Sequence, residues 1–387
     1  MKNIAVITGT RADYGLLRGV CKLLEEDNQI NFILAVTGSH LSERHGNTFE
    51  EIKSDNFKNI YLVDLNIEGD SCSNINSYVA RSIEKFDKFF LGRQLDIIIV
   101  LGDRYEILGA SIAASFLNIP IAHIHGGELT EGAQDDFIRH TITKMSSLHF
   151  ASTEAYRKRI IQLGEHPDTV FFTGGLGAEN IVNMKGKLLS RMQIQEHLGI
   201  EFRKTNILFT YHPETLDPEN CLSGLKEICL ALSDLENTGI IITSPNADVG
   251  FESFFKTIKN FVNEAPKSRW FFASMGQLNY FSVLDNIDWV IGNSSSGLLE
   301  VPSFKVATID VGNRQKGRVR ADSVMNVRPL KSEILNAINK IQTRAFKDKL
   351  SKTINPYYKA NTAKKIVECI KYKNIENRQK PFFDIVF

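Results

Sequence analysis

Acidic, basic and imidazole side chains are concentrated in one stretch of the chain, between Leu101 and His140. The members of this group are Asp103, Arg104, Glu106, His123, His125, Glu128, Glu131, Asp135, Asp136, Arg139 and His140. Two apolar sequences in this region, IIIV before Asp103 and IPIAHI before His125, are typical of buried parallel strands. Titratable groups at the ends of such strands indicate an acid/base active site, and a solvated surface loop is the alternative interpretation.

Three histidines need separate consideration. His123 and His125 share one face of a predicted strand, because side chains alternate with period two, and such a pair could bind a metal. No third ligand has a convincing spacing, so we expect neutral imidazoles and no metal. His212, in the sequence FTYHPET, ends a strand in the second half and could reach the carboxylates of the first half. Its alternative is a loop histidine with its hydrogen bonds satisfied.

Two strand-to-helix turns have the composition of anion sites. In VITGTRADYG, Gly9 relaxes the turn, Arg11 adds a positive charge, and the next helix could direct backbone N–H groups at a phosphate. In WVIGNSSSGLLEV, a helix start after a buried strand suits a diphosphate, and Glu300 one turn later could accept ribose hydroxyls. The alternative for the second turn is an ordinary helix cap. The residues at this helix start are Asn293, Ser294, Ser295, Ser296 and Gly297.

A basic loop, Asn313–Arg320, follows a strand of the second half with the sequence NRQKGRVR. Its four positive charges could close over an anionic ligand or could form a solvated face. On the first interpretation, Arg314, Gln315 and Arg318 are candidate substrate-binding residues. Arg104, in the first half, is a further candidate of this kind.

Apolar runs and helical patterns alternate along the whole chain, which predicts an α/β fold with doubly wound parallel sheets. A looser segment, Gly174–Lys187, is interpreted as a linker between two Rossmann-like domains, which would face each other across a cleft. The predicted domains are 1–180, 181–360 and a C-terminal helix and tail at 361–387 that could pack back on the first. Predicted elements include strands Ile60–Val63, Ile97–Leu101, Val170–Thr173 and Trp289–Gly292, and helices Ile83–Phe90 and Thr362–Tyr372.

Composition narrows the class of protein. The chain has 387 residues, with 46 Lys plus Arg against 45 Asp plus Glu, so no net field favours nucleic acid or an acidic membrane. The five cysteines form no CxxC pair, which favours reduced thiols over a disulfide framework or a zinc site. No apolar run approaches the roughly 20 residues that span a bilayer, and the sequence IAVIT is too short for a signal peptide. We therefore expect a cytoplasmic protein.

Eight sequence motifs, in this order between Lys2 and Val327, resemble the hydrolysing UDP-N-acetylglucosamine 2-epimerases of sialic acid biosynthesis. They are GTRADYGLL, VTGSHL, GDRYE, HIHGGE, DDFIRHTITKMS, TYHPETL, GNSSSGLLEVP and GNRQKGRVR. The resemblance implies two Rossmann-like domains of the GT-B type, a homodimer or homotetramer, and no metal or nicotinamide cofactor. It also implies a reaction in which UDP-N-acetylglucosamine and water give N-acetylmannosamine and UDP through an enzyme-bound glycal.

The resemblance also assigns roles to particular positions. Asp103, Asp135 and the position of His125 match the family's acid/base cluster, and Arg139 and His212 match groups that contact the sugar or the diphosphate. The nucleotide site is matched by Arg11, Ser294, Ser295 and Glu300. One position departs from the pattern, because many relatives have Glu where this chain has His125. Either His125 does that acid/base work or Glu128 supplies the carboxylate.

The chemistry fits these residue types independently of the resemblance. A sugar carbon 2 proton is weakly acidic, so a base must act in concert with departure of the diphosphate, which needs cationic and N–H donors. Clustered carboxylates repel one another, so one can keep its proton while another stays ionised. Alternatives are the same reaction on a 2,4-diacetamido-6-deoxy sugar of legionaminic acid pathways, a non-hydrolysing epimerase, a GT-B glycosyltransferase, or a nucleotide-sugar-binding regulator.

Overall fold

A computed structural model describes residues 1–41, 48–65, 72–130, 135–213, 218–244, 251–373 and 380–385. The chain forms two compact units. Unit 1 comprises Met1–Glu128, Gln134–Glu179 and Lys359–Phe387, and unit 2 comprises Leu129–Ala133 and Asn180–Tyr358. In the described part of the chain, no helix is both long enough and apolar enough to cross a membrane.

Unit 1 is built on a sheet of seven parallel strands in the order β3-β2-β1-β4-β5-β6-β7. The strands are β1 Lys2–Thr8, β2 Ile30–Thr37, β3 Ile60–Val63, β4 Ile97–Leu101, β5 Ile121–Ile124, β6 Leu148–Ala151 and β7 Val170–Phe172. The helices that begin in this unit are α1 Arg11–Glu26, α2 Phe49–Lys53, α3 Cys72–Phe90, α4 Tyr105–Phe116, α5 Asp135–Met145, α6 Glu154–Gln162, α7 Leu176–Met184 and α15 Thr362–Tyr372.

Both faces of this sheet are buried, as parallel strands require. Along β1, Ile4 and Val6 belong to one apolar cluster, and Ala5 and Ile7 belong to another, because alternate side chains point to opposite faces. The first cluster includes side chains of α1 and of α15, so the last helix is part of the core of unit 1. The second includes side chains of α3 and α4.

Unit 2 repeats the architecture with six parallel strands in the order β10-β9-β8-β11-β12-β13. The strands are β8 Thr205–Thr210, β9 Thr238–Thr243, β10 Arg269–Phe272, β11 Trp289–Gly292, β12 Ala307–Val311 and β13 Val324–Val327. The helices are α8 Arg191–Leu198, α9 Pro218–Ser233, α10 Phe251–Glu264, α11 Gly276–Leu284, α12 Ser296–Leu299, α13 Lys331–Ile341 and α14 Arg344–Ser351. The predicted fold class, two Rossmann-like doubly wound units, is confirmed.

Two predicted elements need correction. The segment Gly174–Lys187, interpreted as a linker, does contain the boundary between the two units, at Glu179 and Asn180. It is helical there, as part of α7, because Leu176, Ala178 and Ile181 are buried despite the Gly and Asn residues between them. Helix α3 begins at Cys72, not at Ile83. The sequence did not predict β13 or the helices α2, α5, α6, α8, α13 and α14.

Candidate functional site

The loop after β4 and helix α5 bring two opposite charges together in unit 1. Gly102, with φ of 75°, ends the strand, and Asp103 follows it. Arg139, on α5, is 2% exposed and donates from Nη2 to the Asp103 carboxylate and from Nη1 to the Glu128 carbonyl oxygen at 3.0 Å. Burial disfavours the charged form of Arg139, but the negative charges of Asp103 and Glu128 outweigh this effect, so the pKa of Arg139 is raised. The Asp103 side chain keeps 21% exposure and is therefore accessible to a ligand.

A second pair in unit 1 is formed by His125 and Glu128. Nδ1 of His125 lies 3.5 Å from Oε1 of Glu128, and the Ser152 hydroxyl donates to the same oxygen at 2.8 Å. Both members of the pair are buried. His125 has φ of 65°, a left-handed conformation that costs a non-glycine residue about 1 kcal/mol or more and occurs preferentially at functional sites.

This geometry corrects the expectation that His123 and His125 share one strand face. Strand β5 ends at Ile124, and the left-handed turn at His125 breaks the alternation. His123 instead has Nε2 2.8 Å from the Gly102 carbonyl oxygen and Nδ1 3.2 Å from the Thr143 hydroxyl. Among the described residues, no group of three or more His, Cys, Asp or Glu is arranged to hold a metal ion.

Three further candidates of the acidic stretch, Asp135, Asp136 and His140, lie on α5. Asp135 is the first residue of the helix, and Arg139 follows one turn later on the same face. Asp136 lies 3.5 Å from Arg139 and 3.6 Å from Nε2 of His140. Glu131 falls outside the described residues.

The first predicted anion turn has fewer available donors than expected. The N–H groups of Gly9 and Thr10 donate to the carboxylate of Asp13 at 2.9 and 2.8 Å, rather than pointing into an open site. Arg11 pairs with Glu51 at 3.1 Å. Arg104 donates to the buried carboxylate of Glu106 at 2.9 Å, and its side chain is half exposed.

In unit 2, Asn293 joins the ends of β8 and β11. Its Oδ1 accepts from the His212 backbone N–H at 2.6 Å, and its Nδ2 donates to the His212 carbonyl oxygen at 2.9 Å. Its own carbonyl oxygen accepts from Arg314 at 3.1 Å and from Gln315 at 2.8 Å. The side chain predicted to bind substrate is therefore engaged in holding the His212 backbone.

His212 lies almost fully buried at this junction, with 8% exposure. Burial, assisted by the positive charge of Arg314, lowers the pKa of His212 to about 3. The imidazole is therefore neutral near pH 7. A neutral histidine can donate one hydrogen bond to a phosphate or a sugar hydroxyl.

The serine-rich turn after β11 is organised around Glu300. Helix α12 begins at Ser296, whose hydroxyl donates to the Glu300 carboxylate and lies 2.6 Å from the hydroxyl of Tyr280. Burial raises the pKa of Glu300. A side chain at Gly297 would come within 2.7 Å of Thr308, so this close approach requires glycine. Ser296 therefore supports Glu300, which leaves Ser294 and Ser295 as the half-buried hydroxyls at the helix start.

The basic loop is not a freely solvated face, because its arginines have internal partners. Besides the contacts of Arg314 and Gln315, Arg318 donates to the Leu129 carbonyl oxygen at 3.2 Å and to the Thr130 hydroxyl at 3.3 Å. Arg320 pairs with the buried Asp310 at 3.0 Å. The sequence did not predict that Asp310 would hold Arg320 or that Ser152 would hold Glu128. For Asp310 a signal was available, because it is an acidic residue inside the apolar run VATIDV.

The two parallel sheets, with polar and charged side chains at the carboxyl ends of their strands, define a Rossmann-like α/β protein of the GT-B kind. The crystal structure of UDP-GlcNAc 2-epimerase from Neisseria meningitidis, bound to UDP-GlcNAc, has a similar fold. Its TM-score is 0.81 at 20% identity, over 96% of this chain and 100% of that one.

Sequence comparison then specifies the family. The family model UDP-N-acetylglucosamine 2-epimerase matches residues 22–371, and the chain belongs to this family. It is 42% identical to the polysialic acid biosynthesis protein P7 of Escherichia coli, over 100% of this chain and 98% of that relative. It is 33% identical to a GDP/UDP-N,N'-diacetylbacillosamine 2-epimerase (hydrolyzing) of Campylobacter jejuni, over 99% of both chains.

Proposed function

We propose that the protein is a hydrolysing 2-epimerase that converts UDP-N-acetylglucosamine and water to N-acetylmannosamine and UDP. The observation that carries this proposal is one connected set of groups in unit 1. Asp103 pairs with Arg139, Arg139 contacts the Glu128 backbone, and the Glu128 carboxylate lies beside His125. Such a set supplies both an acid and a base within one site.

The first step breaks the carbon 2–hydrogen bond and the carbon 1–oxygen bond and forms a double bond between carbons 1 and 2. The proton passes to the enzyme, and the electron pair of the broken carbon 1–oxygen bond leaves with UDP. We assign the proton to His125, because Glu128 faces its Nδ1 and the neutral tautomer with a proton there presents Nε2 as the basic atom.

The second step adds water to the glycal. The electron pair of the carbon 1–carbon 2 double bond takes a proton at carbon 2 on the face opposite to the abstraction, which inverts the configuration. The water oxygen bonds to carbon 1 and passes one of its protons to the enzyme. Inversion requires acid/base groups on both faces of the sugar, and Asp103 is the accessible carboxylate for the second face. Asp103 and Asp135 both favour the charged form of Arg139, so the positive charge of Arg139 is fixed beside the two carboxylates.

Unit 2 supplies the nucleotide-binding part of the proposal. Ser294 and Ser295 offer hydroxyls to the diphosphate, Arg314 and Arg318 offer positive charge, and Glu300 is available to the ribose hydroxyls. The fixed positions of the two arginines, which have backbone partners, suit the stabilisation of a leaving diphosphate. A homodimer or homotetramer remains a prediction from the resemblance, and a cytoplasmic location remains a prediction from composition.

A product analysis tests the proposed function. The purified protein is incubated with UDP-N-acetylglucosamine, and nucleotides and free sugars are quantified by chromatography. We expect UDP and N-acetylmannosamine in equal amounts. Formation of UDP-N-acetylmannosamine without free sugar would instead show a non-hydrolysing epimerase, and no turnover would leave a binding protein.

The Campylobacter jejuni relative favours a second candidate substrate, a UDP-linked diacetamido sugar, for the same chemistry. UDP-N,N'-diacetylbacillosamine is therefore assayed in parallel at equal concentration. The sugar with the higher kcat/KM identifies the physiological substrate class, because discrimination is a ratio of these values.

A further inference from the structure

We propose that His123 is a positioning residue for the reaction proposed above. It holds the Asp103 loop and helix α5 at a fixed distance from each other. The side chain is fully buried on β5 and makes two hydrogen bonds to different elements. Nε2 lies 2.8 Å from the carbonyl oxygen of Gly102, the residue before Asp103. Nδ1 lies 3.2 Å from the hydroxyl of Thr143 on α5.

The protonation of His123 follows from its partners. A carbonyl oxygen only accepts, so Nε2 carries the proton and donates to Gly102. Nδ1 is then an acceptor, and the single proton of the Thr143 hydroxyl is shared between Nδ1 at 3.2 Å and the Arg139 carbonyl oxygen at 2.9 Å. Burial lowers the pKa of His123 to about 3, so the ring stays neutral near pH 7 and this tautomer persists. The imidazole therefore acts as a fixed bridge and does not exchange protons with a substrate.

This bridge closes a ring of contacts around the ion pair. The Thr143 hydroxyl also lies 2.9 Å from the Arg139 carbonyl oxygen, and the Arg139 guanidinium binds Asp103. Asp103 follows Gly102, whose φ of 75° sets the direction of the loop. His123 thus restrains both ends of the Asp103–Arg139 pair. Displacement of a reacting group by about 1 Å can cost on the order of a hundredfold in rate, so such a restraint matters for turnover.

The matched control is His149, which is the direct neighbour of His123 in the sheet. The two histidines are paired residues of β5 and β6, and both are fully buried. His149 bonds to Glu165 at 3.0 Å, and Glu165 is held further by Lys144 and Lys380. Replacing it therefore perturbs the same sheet without removing a bond to the Asp103 loop.

The first experiment compares kcat and the Kd for UDP in wild type, His123→Leu, His123→Gln and His149→Leu, with the folded fraction measured by circular dichroism. We expect His123→Leu to lower kcat by about 10- to 100-fold, with the Kd for UDP within about twofold of wild type. His123→Gln, whose amide N–H can replace Nε2–H, should recover at least about a third of the wild-type kcat. His149→Leu should lower the melting temperature but change kcat of the folded protein by less than about twofold.

Thr143→Val keeps the Gly102 bond and removes the hydroxyl, and it serves if His123→Leu does not fold. Its kcat should fall about three- to tenfold at an unchanged Kd for UDP. Equal losses of kcat in the His123 and His149 variants would overturn the proposal, because they would mark a general packing effect. A wild-type kcat in His123→Leu, or in Thr143→Val if the leucine variant is unfolded, would overturn it as well.

A second readout does not depend on turnover, so failure of the proposed function can be distinguished from failure of this inference. Hydrogen–deuterium exchange is followed by mass spectrometry in segment 97–106. Exchange should accelerate in His123→Leu and not in His149→Leu, even if the wild type releases no UDP. Unchanged exchange in His123→Leu, or in Thr143→Val if the leucine variant is unfolded, would contradict the restraint itself.

Discussion

The candidate site residues of unit 1 and unit 2 differ in the kind of partner that they have. In unit 1, titratable side chains face each other, as in the pairs Asp103–Arg139 and His125–Glu128. In unit 2, the side chains of Asn293, Arg314 and Gln315 bond mainly to backbone atoms. The first arrangement can exchange protons, whereas the second fixes donors and positive charges in place. This difference suits the proposed division between chemistry in unit 1 and nucleotide binding in unit 2.

The largest expected effect separates catalysis, proposed for unit 1, from nucleotide binding, proposed for unit 2. Asp103→Asn removes the accessible carboxylate and should lower kcat by about a thousandfold, within the range for loss of a general acid or base. The Kd for UDP, measured by isothermal titration calorimetry, should change less than about threefold if nucleotide binding belongs to unit 2. Asp168→Asn, at a carboxylate with 82% side-chain exposure, is the control and should retain wild-type values. An active Asp103→Asn variant would remove this residue from the proposed mechanism.

The corresponding change in unit 2 should act on structure and on nucleotide binding. Asn293→Ala leaves the buried N–H and carbonyl groups of His212 without their partners, which should lower the free energy of unfolding by about 2–4 kcal/mol. Urea denaturation should show the lower free energy of unfolding, and the Kd for UDP should rise. Asn293→Asp keeps the acceptor but puts a buried carboxylate oxygen against the His212 carbonyl oxygen, so it should destabilise at least as much as alanine. A stable Asn293→Ala variant with normal UDP affinity would contradict the structural role.

The smallest expected effect is on the pH dependence of the unfolding free energy, to which one buried histidine of each unit contributes. The pKa values of His123 and His212 are lowered to about 3, against about 6.5 in an unfolded chain. Above pH 6.5 neither state binds these protons, and below it only the unfolded state does, so stability falls as pH falls. Between pH 6.5 and 5, His123→Leu and His212→Leu should each reduce the slope of the unfolding free energy by at most about 1.4 kcal/mol per pH unit. Slopes unchanged in both variants would show that these imidazoles titrate normally in the native protein.

Much of the fold could be predicted because its strands are local apolar runs. Ile97–Leu101 and Trp289–Gly292 were predicted with the bounds that the structure has, since β-branched and aromatic residues bounded by glycine or charge mark a buried strand. Two elements without a clear boundary between apolar and polar residues were not predicted. They are strand β13, with the mixed sequence VMNV, and helix α5, which begins with the charged sequence DDFIRH.

Residue types at the candidate site could be predicted, but their partners could not. Asp103 and Arg139 are 36 positions apart, and Asn293 and the His212 backbone are 81 apart, so their contacts depend on how strands are ordered in each sheet. The use of Ser296 to hold Glu300, rather than a phosphate, depends on side-chain directions within one turn. Spacing in the sequence does not encode these directions.

The most direct test of the account is the fate of the proton at carbon 2 of the sugar. The reaction is run with UDP-N-acetylglucosamine in deuterated water, and the free sugar is analysed by proton NMR and mass spectrometry. Abstraction by unit 1 followed by hydration of a glycal predicts N-acetylmannosamine with one deuterium at carbon 2. N-acetylmannosamine that retains protium at carbon 2 would contradict proton exchange with solvent through the Asp103, His125 and Glu128 set.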